Sequence, residues 1–341
     1  MMPLRAVRRS LLPLVPAYRL GLALRELRLR TGLEPVRRLR FPVISIGNLS
    51  TGGTGKTPFT IALAQALTRR GLHVDVLSRG FGRQSSVPAR ARPDGSAGEF
   101  GDEPLLIARD AGVPVYVASQ RYDAGVMAEA EAQPGSEEKG QLMVHLLDDG
   151  FQHRQLARDI DILLLNRQDW HDGLLPAGNL REPHHAARRA GVIAIPADEP
   201  ELEAQLRVWG WHGPIWRLRR RMEVPGLNGP IAAFCGIARP DQFFAGLEVA
   251  GLHVATRTAF PDHHRYIPHD IDCVVGSART VRATALITTE KDLVRLGNLT
   301  SALPESLRLA TARLRIEIED ESAALDWLTG QIQTVPTHPS L

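Results

Sequence analysis

Short apolar runs alternate with helical patterns through the first two-thirds of the chain. Pro42, Val43, Ile44 and Ile46 form a run short enough for a buried strand. A glycine-rich turn follows, and Phe59, Ile61, Leu63, Ala64 and Leu67 then recur at helical spacing over residues 58–70, stopped at Arg69-Arg70-Gly71. Val74, Val76 and Leu77 make a second strand. The pattern repeats at Val115–Ser119, Leu142–Leu147, Asp161–Leu165 and Gly191–Ile195, with helical stretches at Leu105–Ala111 and early in residues 120–140. Gly191–Ile195 reads as the last strand of the series. Such alternation predicts a parallel α/β sheet flanked by helices. Residues 84–100, rich in Ser, Pro, Gly and Arg, read as a long surface loop.

At residues 214–229 the texture changes. Ile215, Trp216 and Leu218 alternate with arginines, and Val224-Pro225-Gly226 breaks the chain, which reads as a connection between domains. Strands at Ile231–Cys235, Val254–Phe260 and Ala285–Ile287, a helix at Asp241–Gly251, and closing segments at Leu307–Ile318 and Ala323–Ile332 make a second α/β unit. The expected division is a basic segment over 1–40 belonging to the first domain, a phosphate-binding domain over 41–222, and a smaller α/β domain over 226–341. A length of 341 residues suits about two domains.

Charge changes the picture only at the start of the chain. The net charge is +3, yet residues 1–40 hold ten arginines against two glutamates, +8, which leaves −5 on the other 301 residues. Leu20, Leu24 and Leu27 share one helical face with Leu22 and Leu29 beside it, and Arg19, Arg25, Arg28 and Arg30 carry the charge. Two readings fit this amphipathic segment: a core-packing helix with a solvated basic face, or a helix lying in the interface of an anionic membrane. No run of eighteen apolar residues suggests a transmembrane helix, and Pro13, Pro16 and Arg19 interrupt any secretory h-region. Cys235 and Cys273 are too few for a disulfide framework; both are expected to be buried in a reducing compartment.

The chemistry starts where the first strand ends. Gly52, Gly53, Thr54 and Gly55 let the backbone curl around an anion, the following helix adds its N-terminal dipole, and Lys56 and Thr57 can reach a terminal phosphate and its Mg2+. The strict pattern G-x-x-x-x-G-K-[ST] is not complete, because Ser50 stands at the first glycine. A carboxylate at the end of a hydrophobic strand is the partner such a loop needs, and Asp148-Asp149 follows Leu142–Leu147. Asp102 and Glu103 open a helix, where capping alone favours acidic residues, but adjacent carboxylates also suit metal binding and proton abstraction. Pro261-Asp262-His263-His264 can build a carboxylate–imidazole pair. With no H-E-x-x-H and no Cys/His ladder, a structural zinc site is not expected. Thr288-Thr289-Glu290-Lys291-Asp292 ends another strand, only superficially like a guanine-reading loop.

Taken in order, Gly47-Asn48, Gly52 to Pro58, Ser78-Arg79-Gly80, Gly101 to Pro104, Asp148 to His153, Leu175 to Gly178 with Arg181-Glu182, Phe260 to His263, and Thr288 to Asp292 closely resemble the tetraacyldisaccharide 4′-kinases, the lipid A 4′-kinases of Gram-negative bacteria. The resemblance runs from the basic N-terminal segment into the second domain. It implies a P-loop NTPase-like fold of two α/β/α domains joined by a hinge, with an N-terminal amphipathic helix and the nucleotide between the domains. It implies transfer of the γ-phosphate of ATP to the 4′-hydroxyl of tetraacyldisaccharide 1-phosphate, with Mg2+, at the cytoplasmic face of the bacterial inner membrane. By the same resemblance Lys56 lies on the phosphates and Thr57, Glu103, Asp148 and Asp149 lie at the metal. Asp102 is the catalytic base, His263 pairs with it through the F-x-D-H pattern, and Arg79 and Arg181 lie near the substrate phosphate. The implied partners are the lipid A precursor and an anionic membrane surface, with no nucleic acid and no obligate protein partner. Many family members have Tyr and Pro where this chain has Phe81 and Asn179. Two other classes share part of this pattern. A membrane-associated regulatory P-loop ATPase would carry a second lysine at the start of the loop, absent from Leu49-Ser50-Thr51-Gly52, and a nucleotide-dependent ligase would not need the basic N-terminal helix.

Overall fold

The computed structural model describes residue 8, residues 10–132 and residues 142–335; the polar end of the 120–140 stretch lies outside them. After a 3-10 turn at Leu12–Leu14, α1 (Val15–Arg30) precedes β1 (Val43–Asn48), which leads through the glycine-rich loop into α2 (Lys56–Arg69). β2 (His73–Ser78), β3 (Ala89–Arg90), α3 (Ala97–Phe100), α4 (Asp102–Asp110), β4 (Val115–Val117) and α5 (Arg121–Glu131) come next. Then follow β5 (Met143–Asp148), β6 (Ile160–Leu164), α6 (Arg167–Trp170), β7 (Val192–Pro196), α7 (Pro200–Val208) and β8 (Ile215–Glu223). The last third supplies β9 (Pro230–Cys235), α8 (Pro240–Val249), β10 (His253–Ala259), α9 (Pro268–Thr280), β11 (Ala285–Thr289), α10 (Glu290–Leu296), β12 (Arg308–Ile318) and α11 (Glu321–Gln333).

The twelve strands of the described residues form one sheet in the order β10-β9-β11-β12-β8-β7-β6-β1-β5-β2-β4-β3. The β8–β12 and β3–β4 pairs are antiparallel and the others parallel, as crossover helices require. Central strands β1, β5, β6 and β7 are buried along their whole length, which is why they read as continuous apolar runs rather than alternating ones. On α2, Phe59, Leu63 and Leu67 are fully buried, each contributing roughly 1.5–3 kcal/mol of transfer free energy. In register, Ile46 of β1 faces Asp148 of β5, so the phosphate loop and the strand-end carboxylates emerge side by side.

Three expectations need correction. Gly191–Ile195 is not the last strand of its series, because most of the supposed connection at 214–229 is β8. Its alternation is that of a strand with one buried face: Trp216 and Leu218 point into the core, while Arg217 and Arg219 point out to Glu203 and Glu319. Residues 84–100 contain β3 and α3, the latter started by a capping box between Ser96 and Glu99. Cys235 is buried, but Cys273 is exposed on α9.

β8 and β12 tie the two parts of the sheet together. Trp216 and Leu218 of β8 join the core around α2, whereas Met222 packs on the core beneath β9 and β11. β12 runs the opposite way, with Ala310 and Ala312 in the second core and Ile316 and Ile318 in the first. Leu325, Leu328 and Ile332 of α11 also return to the first core.

α1 turns its polar and aromatic side inward. The Tyr18 hydroxyl donates to the Arg181 carbonyl at 2.9 Å, Arg25 Nη2 donates to the Gln152 carbonyl at 2.6 Å, and Arg154 pairs with Glu26. Leu20, Leu24 and Leu27 are 53–61% exposed, so this leucine face packs against no core. No helix among the described residues is long and apolar enough to cross a membrane.

Candidate active site

The phosphate loop is held from below by side chains that replace the missing glycine. Ser50 is fully buried; its hydroxyl donates to Asp169 Oδ2 at 2.8 Å and accepts from Asn48 Nδ2 at 3.1 Å. Asn48 Nδ2 also donates to the Gly52 carbonyl, and Asn48 Oδ1 accepts from Lys56 Nζ at 3.2 Å. Gly55 caps α2 in the left-handed region at φ 88°, a conformation that a side chain would disfavour. The second half of the sheet covers the loop: Arg220 Nη2 donates to the Thr54 carbonyl at 2.9 Å, and Arg239 bonds Asp169 at 2.8 Å beside Gly52. Next to these arginines opens a polar cleft of about 830 Å³, lined by Asn166, Arg167, His171, Glu199, Arg220 and Arg239 among others.

Asp148 and Asp149 differ sharply although adjacent. Asp148, at the end of β5, accepts from Thr60 Oγ1 at 3.3 Å and Ser78 Oγ at 3.5 Å. Burial, together with the charges of Glu103 and Asp149, pushes its carboxyl up to about 7. Asp149 sits in the left-handed region at φ 47°, which turns it towards Arg181 (2.9 and 3.1 Å) and Lys56 (3.5 Å). Burial opposes its charge, but Lys56 and Arg181 outweigh that and hold the carboxyl well below the usual range. Thr57 is buried at the first turn of α2. Among the described residues no three His, Cys, Asp or Glu side chains converge into a ready-made metal cage.

Asp102 and Glu103 open α4 after a tight approach of two turns. A Cβ on Gly101 would lie 2.9 Å from the Phe81 carbonyl, so the backbone at this point leaves room only for glycine. Asp102 Oδ1 accepts from the Glu103 amide, and Oδ2 faces His263 Nδ1 at 3.1 Å and Arg295 Nε at 2.7 Å. Burial works to raise the Asp102 carboxyl, but the His263 hydrogen bond and the charges of Arg295 and Lys291 hold it far below its ordinary value. The same bond raises His263. Glu103 Oε1 accepts from Lys291 Nζ at 2.5 Å. The neighbouring His264 is turned away, bonded to Asp270 at 2.8 Å and stacked on Phe260.

A basic recess lies on the α1 side of Asp149. Burial and the charges of Arg121, Arg158, Arg25 and Arg79 bring the His153 imidazole down to about 3, so it is neutral at physiological pH. Arg121 is only 7% exposed, its Nε has no hydrogen-bond partner among the described residues, and burial lowers its guanidinium to about 10 despite Asp149. A buried arginine with an unpartnered Nε among other cations and beside a neutral imidazole suits an anionic ligand such as a phosphate.

With a phosphate loop, strand-end carboxylates and a carboxylate–imidazole pair within electrostatic reach of one another, similarity to known proteins identifies the family. The tetraacyldisaccharide-1-P 4′-kinase family model matches residues 7–333. The chain belongs to that family. It is 42% identical over 325 residues to tetraacyldisaccharide 4′-kinase of Koribacter versatilis (strain Ellin345), covering 92% of this chain and 96% of the relative. The enzyme of the same name from Anaeromyxobacter sp. (strain Fw109-5) is 39% identical over 328 residues, covering 88% and 85%. In three dimensions the chain is similar to the crystal structure of the "apo" form of LpxK from Aquifex aeolicus in complex with ATP, with a TM-score of 0.72, 30% identity, and coverage of 96% of this chain and 99% of that one. The expected P-loop-like α/β fold with an N-terminal helix and the expected kinase family both hold.

The residues singled out from sequence fall into two groups. Gly52 to Thr57, Asp148, Asp149 and Arg181 gather at the phosphate loop, and Asp102, Glu103 and His263 at the seam facing α10. Arg79 is exposed on the turn after β2, close enough to affect Arg121 and His153. Sequence reading names Asn48, Ser50 and Arg25 without these contacts, and it does not single out Arg121 in the recess, Asp169 beneath the loop or Arg295 on Asp102. A lone arginine in a helix carries no local signal. Ser50 was visible only as a departure from the pattern.

Proposed function

We infer that this family member transfers the γ-phosphate of ATP to the 4′-hydroxyl of a tetraacyldisaccharide 1-phosphate, with Asp102 as the base. One observation carries the assignment of roles: Asp102 is buried, ionised and oriented by His263, and its neighbour Glu103 lies within electrostatic reach of Lys56 and Asp148 at the phosphate loop. A sugar hydroxyl is a weak nucleophile until a positioned base takes its proton as the new O–P bond forms. Lys56 offsets the charge on the transferring phosphoryl group and Arg181 keeps Asp149 ionised beside it. The polar cleft by Arg220 and Arg239 accommodates the rest of the nucleotide.

The donor set fits Mg2+, a hard cation that takes one or two carboxylates plus phosphate oxygens and needs no all-protein cage. Thr57 and Asp148 would hold it, with Asp149 and Glu103 close by, and it would supply charge neutralisation across the β- and γ-phosphates.

The substrate's anionic end fits the recess of Arg25, Arg79, Arg121 and His153, with Arg181 between it and the phosphate loop. α1 links this recess to a lipid surface. Arg25 belongs to its inner side, while Leu20, Leu24 and Leu27 face outward as an apolar stripe among arginines, which suits the interface of an anionic bilayer. That exposed stripe supports peripheral attachment to the membrane from which the lipid substrate comes, at the cytoplasmic face of the inner membrane.

The direct test is mass spectrometry of a tetraacyldisaccharide 1-phosphate incubated with the protein, ATP and Mg2+. The expected product is heavier by one phosphate carried at the 4′ position. ATP hydrolysis with an unmodified lipid would point instead to a regulatory ATPase.

A further inference from the structure

Asn48 is the last residue of β1, in the middle of the sheet between β6 and β5, and its side chain is fully buried. A buried amide is costly unless its donors and acceptor are paired, and here both ends are. Nδ2 donates to Ser50 Oγ at 3.1 Å and to the Gly52 carbonyl at 3.3 Å, while Oδ1 accepts from Lys56 Nζ at 3.2 Å and from Arg181 Nη2. The neighbours fix which way the amide points: the two cations only donate, and the Gly52 carbonyl only accepts. The backbone is held as well, since the Asn48 carbonyl accepts from Gln152 Nε2 at 2.9 Å.

Lys56 and Arg181 share this acceptor but are not held equally. Arg181 has a second, two-pronged anchor in Asp149, at 2.9 and 3.1 Å. Lys56 lies 3.5 Å from Asp149 Oδ1, so the bond to Asn48 is the shorter of the two contacts. A lysine side chain carries about 2 kcal/mol of rotamer entropy, and a single well-placed acceptor decides where its ammonium rests. The neutrality of that acceptor matters as much as its place. Asp149, Asp148 and Glu103 already lie within electrostatic reach of Lys56. A further carboxylate at position 48 would bind the ammonium as an ion pair that an incoming phosphate has to break. An amide oxygen orients the charge without cancelling it.

We propose that Asn48 is the positioning residue for Lys56: its amide oxygen holds the ammonium at the phosphate loop, apart from Asp149, while its amide nitrogen sets the loop at Gly52. One side chain thus fixes both the curve of the loop and the cation that works within it. The proposal rests on the reading of Lys56 as the group on the transferring phosphate. Without the amide, Asp149 is the acceptor left to Lys56, and the ammonium shifts away from the γ-phosphate towards that carboxylate. Arg181 keeps its two bonds to Asp149 and stays where it is.

The test compares nucleotides that differ by the phosphate Lys56 is read to meet. Displacement of a fluorescent nucleotide from the full chain by ATP and by ADP gives the preference for ATP. Asn48→Ala should lower that preference at least about tenfold, in line with loss of one hydrogen bond to a charged group. An unchanged preference overturns the proposal, and so does an equal loss of affinity for both nucleotides, which a purely structural asparagine would give. If Asn48→Ala does not fold, Asn48→Asp decides, since it keeps the size of the side chain. Its carboxylate should tie up Lys56 and lower the preference too; an ATP preference equal to the parent's overturns the role.

Kinetics separate the two cations. Asn48→Ala should lower kcat about ten- to a hundredfold, below the loss expected when a transition-state donor is removed outright, while the KM for the lipid stays within about threefold because Asp149 still holds Arg181. A loss confined to the lipid KM, with kcat intact, also overturns the assignment. If the parent phosphorylates no lipid while its ATP preference still depends on Asn48, the kinase reading fails and the positioning of Lys56 stands.

Discussion

His263 reaches Asp102 across the seam between the two halves of the sheet, with Nδ1 3.1 Å from Oδ2, although the loop and the helix that carry them are far apart in the chain. His263 adopts φ 57° to do so, a backbone state that non-glycine residues seldom hold without cause. The Asp102 carboxylate thus has one oxygen oriented by its own helix and the other by the second half.

Asp102→Asn keeps the shape of this arrangement and removes the proton acceptor. The expected result is a fall in kcat on the order of 10²–10⁴-fold, with nucleotide affinity within a few-fold of the parent. Single-turnover phosphorylation and titration with a fluorescent ATP analogue measure the two separately. Full turnover by this variant would remove Asp102 from the base role.

The recess predicts a different split. Arg121→Ala should raise the KM for the lipid at least about tenfold, consistent with roughly 1.5–3 kcal/mol for a charge-assisted hydrogen bond, while the KM for ATP stays level. Initial rates over a matrix of both substrates check this, and an equal rise in both constants would count against a lipid-phosphate contact.

Ser50 offers a test of the loop itself. Ser50→Gly would restore the glycine of the strict pattern, yet it removes a hydrogen bond to the buried Asp169 and should destabilise the protein by about 1–3 kcal/mol. Urea unfolding of the two proteins gives the difference. A more stable glycine variant would show that the serine hydroxyl contributes nothing to the loop.

Local signals made part of this legible before any coordinates. The phosphate loop, the apolar strand before Asp148 and the acidic opening of α4 each announce themselves within ten or so residues, because backbone curvature, burial and helix capping are local demands. β8 is hidden in the sequence because four arginines and a Pro-Gly break obscure a two-residue alternation that is plain once Trp216 and Leu218 face a core. Arg295 and Arg121 were invisible for a different reason. Their importance comes from what lies opposite them, Asp102 for one and the neighbourhood of Asp149 for the other, and no spacing rule encodes a contact across the seam or across the sheet.

The exposed leucines of α1 predict binding without a stability cost. Leu20, Leu24 and Leu27 to Ser should abolish most cosedimentation with anionic vesicles and leave the melting temperature nearly unchanged, since none of the three packs on a core. A variant lacking residues 1–32 should behave likewise towards vesicles. Undiminished binding by both would exclude α1 as the membrane contact.

A last prediction concerns a charge cluster at the opposite end of the sheet. His145 is fully buried on β5, with Nδ1 2.8 Å from Asp75 Oδ1 and Nε2 3.4 Å from Glu129 Oε1, and Glu129 also accepts from the amides of Arg40 and Phe41 where the chain enters β1. Burial disfavours the imidazolium, but Asp75 and Glu129 outweigh it and raise the folded-state value to about 9. The unfolded value is about 6.5, so the charged histidine contributes stability that is complete below that pH and is lost as pH rises through about 9. The span corresponds to at most about 3 kcal/mol. Urea unfolding between pH 6 and 10 should therefore show stability declining across that window, and His145→Gln should remove this part of the slope while lowering stability at pH 6. A parent protein whose stability is level from pH 6.5 to 9.5 would mean that His145 is not held charged in its burial site.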